Sequence, residues 1–287
     1  MTLSEFAKKF GTDEQCREYL YQLRWPAGFV CPRCQHAAKP WPIGGILYKC
    51  SKCSHQTSVT AGTILQDIRA PLTTWFAAVW WTAAQKNGVS AKGLQEVIGL
   101  NSYQTAWAWS HKIRKTMVHP RRLPLSGIVE VIVMDINIEK SGRKCRRAAD
   151  DKTVIVVAVE SKSGKGIGRM RLCALAGELE GPLQEFIAKN IARGSAVITD
   201  SSDRYAFLPA GGYEHKVASG SSDHMRSVVS SLIKWLNNRY KRAVASKYLQ
   251  SYLDEYVFRF NRKSVPTRST LFHRLMKNAM SIPPHTY

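Results

Sequence analysis

The sequence predicts a multidomain α/β protein: a small cysteine-bearing N-terminal unit, then a bundle of short helices, then a mixed sheet with flanking helices. Three observations carry this. Four of the seven cysteines form two Cys-x-x-Cys pairs before residue 54. Capping and helix-forming residues alternate between 71 and 120, and beyond 120 runs of branched residues alternate with helical segments. At 287 residues the chain exceeds a usual single domain of about 150, and the breaks in texture set expected domains at 1–70, 71–120 and 121–287.

The elements follow in order. Residues 3–24 read as a pair of amphipathic helices broken at Gly11-Thr12 and closed by Trp25-Pro26, with turn formers dominating to about residue 56. Leu72 to Lys86 gives a buried helix that Asn87-Gly88 stops. Ser90 caps a helix ending near Gly99, and Asn101 or Ser102 caps the next, which runs to about Met117. His119-Pro-Arg-Arg-Leu-Pro124 is a linker, since two prolines forbid continued helix. Ile128–Met134, Thr153–Val159 and Ala196–Thr199 read as buried strands and Met170–Leu175 as a weaker one, with a crossover helix over Gly181–Ala192 between the last two. Helices over Ser227–Tyr240, Ser246–Phe260 and Leu271–Met280 complete the chain.

Lys and Arg number 42 against 21 Asp and Glu, a formal charge of +21. Such a field favours polyanions, nucleic acid first and an anionic membrane surface second. No apolar run reaches the roughly 18 residues of a membrane span and no signal peptide opens the chain, so the expectation is a soluble, cytoplasmic, nucleoid-associated protein with no membrane partner. The cysteine pairing argues against a secreted disulfide framework; Cys16, Cys145 and Cys173 read as ordinary thiols.

Cys31-Pro-Arg-Cys34 and Cys50-Ser-Lys-Cys53 are separated by 15 residues. Two such knuckles supply the four thiolates of a closed, tetrahedral, structural Zn²⁺ site. His36 and His55 lie nearby, but the cysteine set is complete without them.

The segment from Gly88 to Trp109 has helix, glycine-containing turn, helix, the order of a helix-turn-helix unit that lays its second helix in a major groove of double-stranded DNA. On that helix Ala106, Trp109 or Ser110, and Ile113 form an apolar face, while Gln104, Lys112, Arg114 and Lys115 are candidates to meet DNA. The same residues also fit an ordinary three-helix bundle with a solvated basic face. Trp75, Trp80, Trp81, Trp107 and Trp109 read as core. Arg121 and Arg122 suit a segment lying along phosphate, as do Arg143, Lys144, Arg146 and Arg147 in the basic run Lys140–Arg147, which reads equally as a solvated loop.

Cys-Pro-Arg-Cys, Tyr48-Lys-Cys50, Ser58-Val-Thr-Ala-Gly-Thr63, Pro71-Leu-Thr-Thr-Trp-Phe76, Gly88-Val-Ser-Ala91, and Thr105-Ala-Trp107 with His111-Lys-Ile-Arg114 resemble the front half of IS1595-family (ISXO2-like) insertion-sequence transposases. Lys152-Thr153, Val156–Glu160, Gly194-Ser195 with Thr199-Asp200, and the run Tyr248–Arg262 resemble that family's catalytic domain. The resemblance implies a ribonuclease-H-like fold that cuts and rejoins DNA at the terminal inverted repeats of an insertion sequence, as a homo-oligomer. That reaction needs two strand-end carboxylates and a third ligand from a helix, holding two Mg²⁺ about 4 Å apart.

Asp200, closing the strand Ala196–Thr199, fits one carboxylate place. For the other, the family pattern Val-Glu-Val-Asp-Glu, an aromatic and two glycines meets Val129-Glu-Val-Ile-Val-Met-Asp135-Ile-Asn137 here. An ungapped reading puts Ile132 in the catalytic place; a three-residue shift restores Asp135, the expected ligand, with Glu130 and Glu139 further off. Counting back from Trp235-Leu236, the third place falls on Arg226 or Ser227 and the accompanying lysine on Ile233 or Lys234; His224, with Asp223, substitutes if the helix begins early. Ser201-Ser202 stand where the family carries a glycine and an aromatic. Glu255 and Arg259 read as a helix-stabilising pair. Two functions are therefore open: a Mg²⁺-dependent transposase using Asp135, Asp200 and His224, or a DNA-binding descendant, a repressor or regulator, that keeps the fold without the metal pocket.

Overall fold

A threonine fixes the start of each of the first two helices. In the computed structural model, which describes residues 2–119, 121–136, 153–162, 166–177, 179–200, 203–239, 246–263 and 267–284, Thr2 caps α1 (Leu3–Lys9) and Thr12 caps α2 (Asp13–Arg24). Each threonine oxygen accepts from the amide three residues on, and Glu5 or Gln15 reaches back to the cap's own N–H, satisfying donors that a helix start leaves open. An antiparallel sheet of β1 (Trp41–Gly44), β2 (Leu47–Lys49) and β3 (Gln56–Ser58) follows. These strands, at three or four residues each, are too short to show alternation in sequence, which reads them as loop.

Helices α3 (Leu72–Ala84), α4 (Ala91–Ile98) and α5 (Tyr103–Thr116) come next. Ser90 and Ser102 cap α4 and α5, and Gly99 ends α4 at φ 71°. A residue with a Cβ pays about 1–2 kcal/mol for that left-handed turn.

Residues 121–264 form a separate unit around a five-stranded sheet: β4 (Ile128–Ile136), β5 (Thr153–Lys162), β6 (Gly166–Ala176), β7 (Ala196–Thr199) and β8 (Glu214–Val217), in spatial order β6-β5-β4-β7-β8. The first three strands pair antiparallel, whereas β4–β7 and β7–β8 are parallel. Helix α6 (Glu180–Asn190) connects β6 to β7, and α7 (Asp223–Arg239) and α8 (Ser246–Phe260) follow β8. Because strand side chains alternate, the branched residues divide between two cores. Val129, Val131, Val156, Ala158 and Val197 pack with Leu183, Phe186 and Ile187 of α6. Ile155, Val157, Met170 and Leu172 pack with Met225, Val228 and Leu232 of α7 and with Leu249 and Leu253 of α8. A mixed sheet with helices on both faces is the ribonuclease-H-like arrangement that the resemblance implies. The sequence does not announce β8, whose Glu-His-Lys-Val has no apolar alternation and lies at the sheet edge. Helix α7 begins four residues earlier than the expected Ser227.

The last helix, α9 (Arg268–Ala279), is capped by Thr267. Residues 265–287 group with 1–120 in one compact unit, apart from the sheet unit of 121–264. The reason is aromatic. The Phe272 ring lies 5.6 Å from Phe6, 5.4 Å from Phe10, 5.7 Å from Phe76 and 5.9 Å from Trp80. Asn278 Nδ2 donates to the Thr116 carbonyl at 2.7 Å. Among the described residues no helix is long and apolar enough to cross a membrane.

Candidate functional site

Among the described residues one group of three or more His, Cys, Asp or Glu can hold a metal: Cys31, Cys34, Cys50 and Cys53, whose Sγ atoms all lie within 4.8 Å of one another. The two knuckles are built alike. The Cys31 amide donates to the His36 carbonyl and the Gln35 amide back to Cys31; the Cys50 amide donates to the His55 carbonyl and the Ser54 amide back to Cys50. Gln35 and Ser54, each just past its second cysteine, both take φ 57°, the left-handed turn that folds the chain back round the sulfurs. Cys31 and Cys53 approach to 3.6 Å and Cys34 and Cys50 to 3.7 Å. Four sulfurs on ~2.3 Å bonds to one tetrahedral ion stand ~3.8 Å apart, so the site fits Zn²⁺. His36 and His55 serve it through backbone carbonyls.

The amides of Cys53 and Lys52 hold the Cys50 thiol down at about 6, against burial. Burial raises Cys31, and the amides of Cys34 and Arg33 outweigh it to leave the thiol lowered. The Cys31 and Cys50 shifts both favour thiolate relative to an ordinary cysteine, whereas Cys34 is pushed up to about 12. Away from this group, burial pushes Cys16 up to about 12 and raises Cys173, as suits inert thiols; Cys145 lies outside the described residues.

The ribbon sheet also presents an outward face that the sequence reading missed. Trp41 is 55% exposed, with Ile43 and Leu47 exposed beside it. Trp41 pairs with Lys49 across the strands, and the Lys49 ammonium lies 5.7 Å from its ring. A sequence signal existed: no Asp or Glu occurs between Glu18 and Asp67.

In the helical region, α4, a four-residue turn and α5 realise the expected helix-turn-helix order. Ala106, Trp109 and Ile113 are buried, and Tyr103, Gln104 and Thr105 are exposed. These three, with Trp107 and Ala108, line a concavity of about 620 Å³. Lys112 and Lys115 are half-buried, and burial lowers both ammonium pKa values. Arg114, expected on the DNA face, is instead 4% exposed and donates to the Val89 carbonyl at 3.3 Å, because position 114 falls on the helix face of Ser110 and Ile113. Trp75, Trp80 and Trp109 are core, as expected, while Trp81 and Trp107 are half-buried.

In the sheet unit, Arg121 is exposed and Arg122 donates to Asn190 Oδ1 at 3.0 Å. Arg143, Lys144, Arg146 and Arg147 lie outside the described residues. Glu160 accepts from the amides of Ser126 and Arg169 and from the Arg169 guanidinium, which also donates to the carbonyls of Leu123 and Pro124. This is a structural clamp on the segment entering β4. Glu255 and Arg259 pair at 2.7 Å in α8, as expected.

Asp200 is exposed at the end of β7, its backbone carbonyl accepting from Thr199 Oγ1. Burial and, second, the Asp200 charge raise the Tyr205 phenol. Asp135 is exposed near the end of β4, opposite Val154 of β5. His224 is exposed in the first turn of α7, beside Asp223, which pairs with Arg226. Glu130 accepts from the Ser222 amide at 2.9 Å and from its hydroxyl at 2.5 Å. Asp135, Asp200 and His224 do not come together as a ligand group.

Residues 11–56 match the family model of the transposase zinc-ribbon domain, IS1595 type, and residues 124–261 that of the ISXO2-like transposase domain. Together they span most of the chain. A solved structure described as a simian T-cell lymphotropic virus intasome in complex with PP2A regulatory subunit B56 gamma contains a chain of 11% identity, matched over 58% of this chain and 65% of that one at a TM-score of 0.30. A likeness that slight decides nothing about fold or activity. No curated protein matches the sequence.

Proposed function

The chain belongs to the IS1595 (ISXO2-like) family of transposases, and we propose that it binds double-stranded DNA at the terminal inverted repeats of an insertion sequence. The observation that carries this reading is the exposed face of α5, where Gln104 and Thr105 project from the first turn of the second helix of a helix-turn-helix. A glutamine there can take adenine N6 and N7 together, worth about 1–3 kcal/mol of discrimination, and a threonine methyl can pack on thymine. Lys115 and Arg121 supply phosphate contacts, and the Trp41–Lys49 face of the ribbon, held by Zn²⁺, adds a basic aromatic surface. Paired ends call for a homo-oligomer on DNA.

Fluorescence anisotropy with a terminal-repeat duplex and a scrambled duplex tests the proposal. The repeat binds more tightly, and Gln104→Ala narrows the gap about 5- to 100-fold. Equal affinity for both duplexes at every salt concentration rejects site recognition.

Mg²⁺-dependent strand cleavage and transfer is the second reading. Asp200, exposed at a strand end inside the ISXO2-like domain, is what favours it. Nicking of the repeat duplex in Mg²⁺ that Asp200→Ala leaves unchanged removes Asp200 from that role.

A further inference from the structure

We infer that the described residues of the sheet unit do not hold a pair of divalent ions, because Ile132 fills the place where the first carboxylate would have to stand. Strands β4 and β7 run parallel with Glu130 opposite Ile198. Carried two residues on, one past the end of β7, that register sets Ile132 level with Asp200. Alternation then sorts β4 by face: Val129, Val131 and Val133 belong to the α6-side core, whereas Ile132 and Met134 pack toward α7 and α8. Asp135 therefore points to the α6 side and lies three residues, or ~10 Å, beyond the level of Asp200. Carried one residue past β7, the same alternation sends Asp200 to the face of Ile198, opposite to that of Asp135. Two ions ~4 Å apart need both carboxylates on one face and on one level.

Among the described residues, the nearest carboxylate on that face is already engaged. Glu130, one pleat before Ile132, spends both carboxylate oxygens on Ser222 at the start of α7. In the next turn, Arg226 is tied to Asp223 and to the Ser221 carbonyl, and Ser227 offers only a neutral hydroxyl to an ion that selects charged and carbonyl oxygen. The residues do not fit the group, and no cleavage step is derived through it. The chain then binds DNA without cutting it, a statement whose binding half rests on the proposed function above.

Mn²⁺ binding to the full-length, zinc-loaded chain, followed by electron paramagnetic resonance, tests this without relying on activity. Wild type and Asp200→Ala show the same free-Mn²⁺ signal through the millimolar range, and neither nicks the repeat duplex. Ile132→Asp gains a Mn²⁺ site that Ile132→Asp with Asp200→Ala loses. A wild-type Mn²⁺ site weakened tenfold or more by Asp200→Ala, or metal-dependent nicking abolished by it, overturns the inference. So does an Ile132→Asp chain with wild-type circular dichroism that gains no site. If Ile132→Asp misfolds, the wild-type and Asp200→Ala comparison still decides. Failure of the wild type to bind any duplex in low salt instead sinks the DNA-binding reading and leaves the metal result standing.

Discussion

Arg114 and Lys115 are neighbours in sequence with opposite placements. Arg114 is buried and hydrogen-bonded to a backbone carbonyl, so truncation leaves that acceptor without its charged donor, at a cost of about 1–3 kcal/mol. Arg114→Ala therefore lowers the melting temperature of the unit formed by 1–120 and 265–287. Lys115 is half-buried, not buried, and Lys115→Ala is expected to lower melting less than Arg114→Ala while reducing the salt slope of DNA binding by about one. Calorimetry and salt-dependent anisotropy on the two variants separate these roles; a reversal moves Arg114 back to the DNA face. Glu160 makes a pH prediction at the same scale. Burial raises its carboxyl pKa, and the hydrogen bonds from Arg169 and Ser126 outweigh that to leave it below the ordinary 4.5. A carboxyl lowered in the folded state contributes stability that is whole above 4.5 and fades as pH falls through the lower folded value. Thermal stability of the sheet unit drops on acidification through that window, and Glu160→Gln flattens the drop. Gly168→Ala strikes the same clamp at any pH, since an added Cβ would meet Glu160 Cβ at 2.8 Å.

At the scale of elements, α9 shows most plainly where sequence reading stops. Its existence is a local property and can be read from the chain, although the reading starts it at Leu271 and misses the Thr267 cap; its partner cannot be read at all. Nothing in Leu271-Phe-His-Arg-Leu-Met276 says that Phe272 sits among Phe6, Phe10, Phe76 and Trp80 and not with the sheet that precedes it. Phe272→Ala is accordingly expected to cost about 3–5 kcal/mol in the unit containing the cysteine ribbon, while unfolding of the sheet unit stays unchanged; two-transition calorimetry decides which transition moves. The cysteine knuckles were legible for the same reason as the caps, their chemistry being set within four residues. The face of Asp135 was not. Shifting an alignment by three residues brings a carboxylate to the right place on paper, but in a strand an odd shift turns the side chain to the other side of the sheet, and only pairing with β5 and β7 fixes which side that is. The ribbon strands and β8 stayed hidden because they are short or polar and take their shape from neighbours.

For the whole molecule the formal charge of +21 makes affinity for any duplex strong in dilute salt, whatever its sequence. Specificity is therefore visible only once that background is screened. Each phosphate neutralised contributes about 0.9 to the slope of log affinity against log salt, so six to ten contacts imply a loss of about 10³ to 10⁵ between 50 and 200 mM salt. Zn²⁺ enters the same balance through folding, not through its charge. The thiolates it binds hold two turns with residues at φ 57°, and on its removal the face bearing Trp41 and Lys49 loses its register. Chelation is thus predicted to weaken repeat and scrambled duplexes together while far-ultraviolet helicity barely changes, because the ribbon contains strands and turns and the helices of its unit have the aromatic cluster around Phe272 for a core. Restoring one equivalent of zinc per chain recovers binding. Loss of preference for the repeat alone, with scrambled binding untouched, would instead place recognition in the ribbon and take it away from α5.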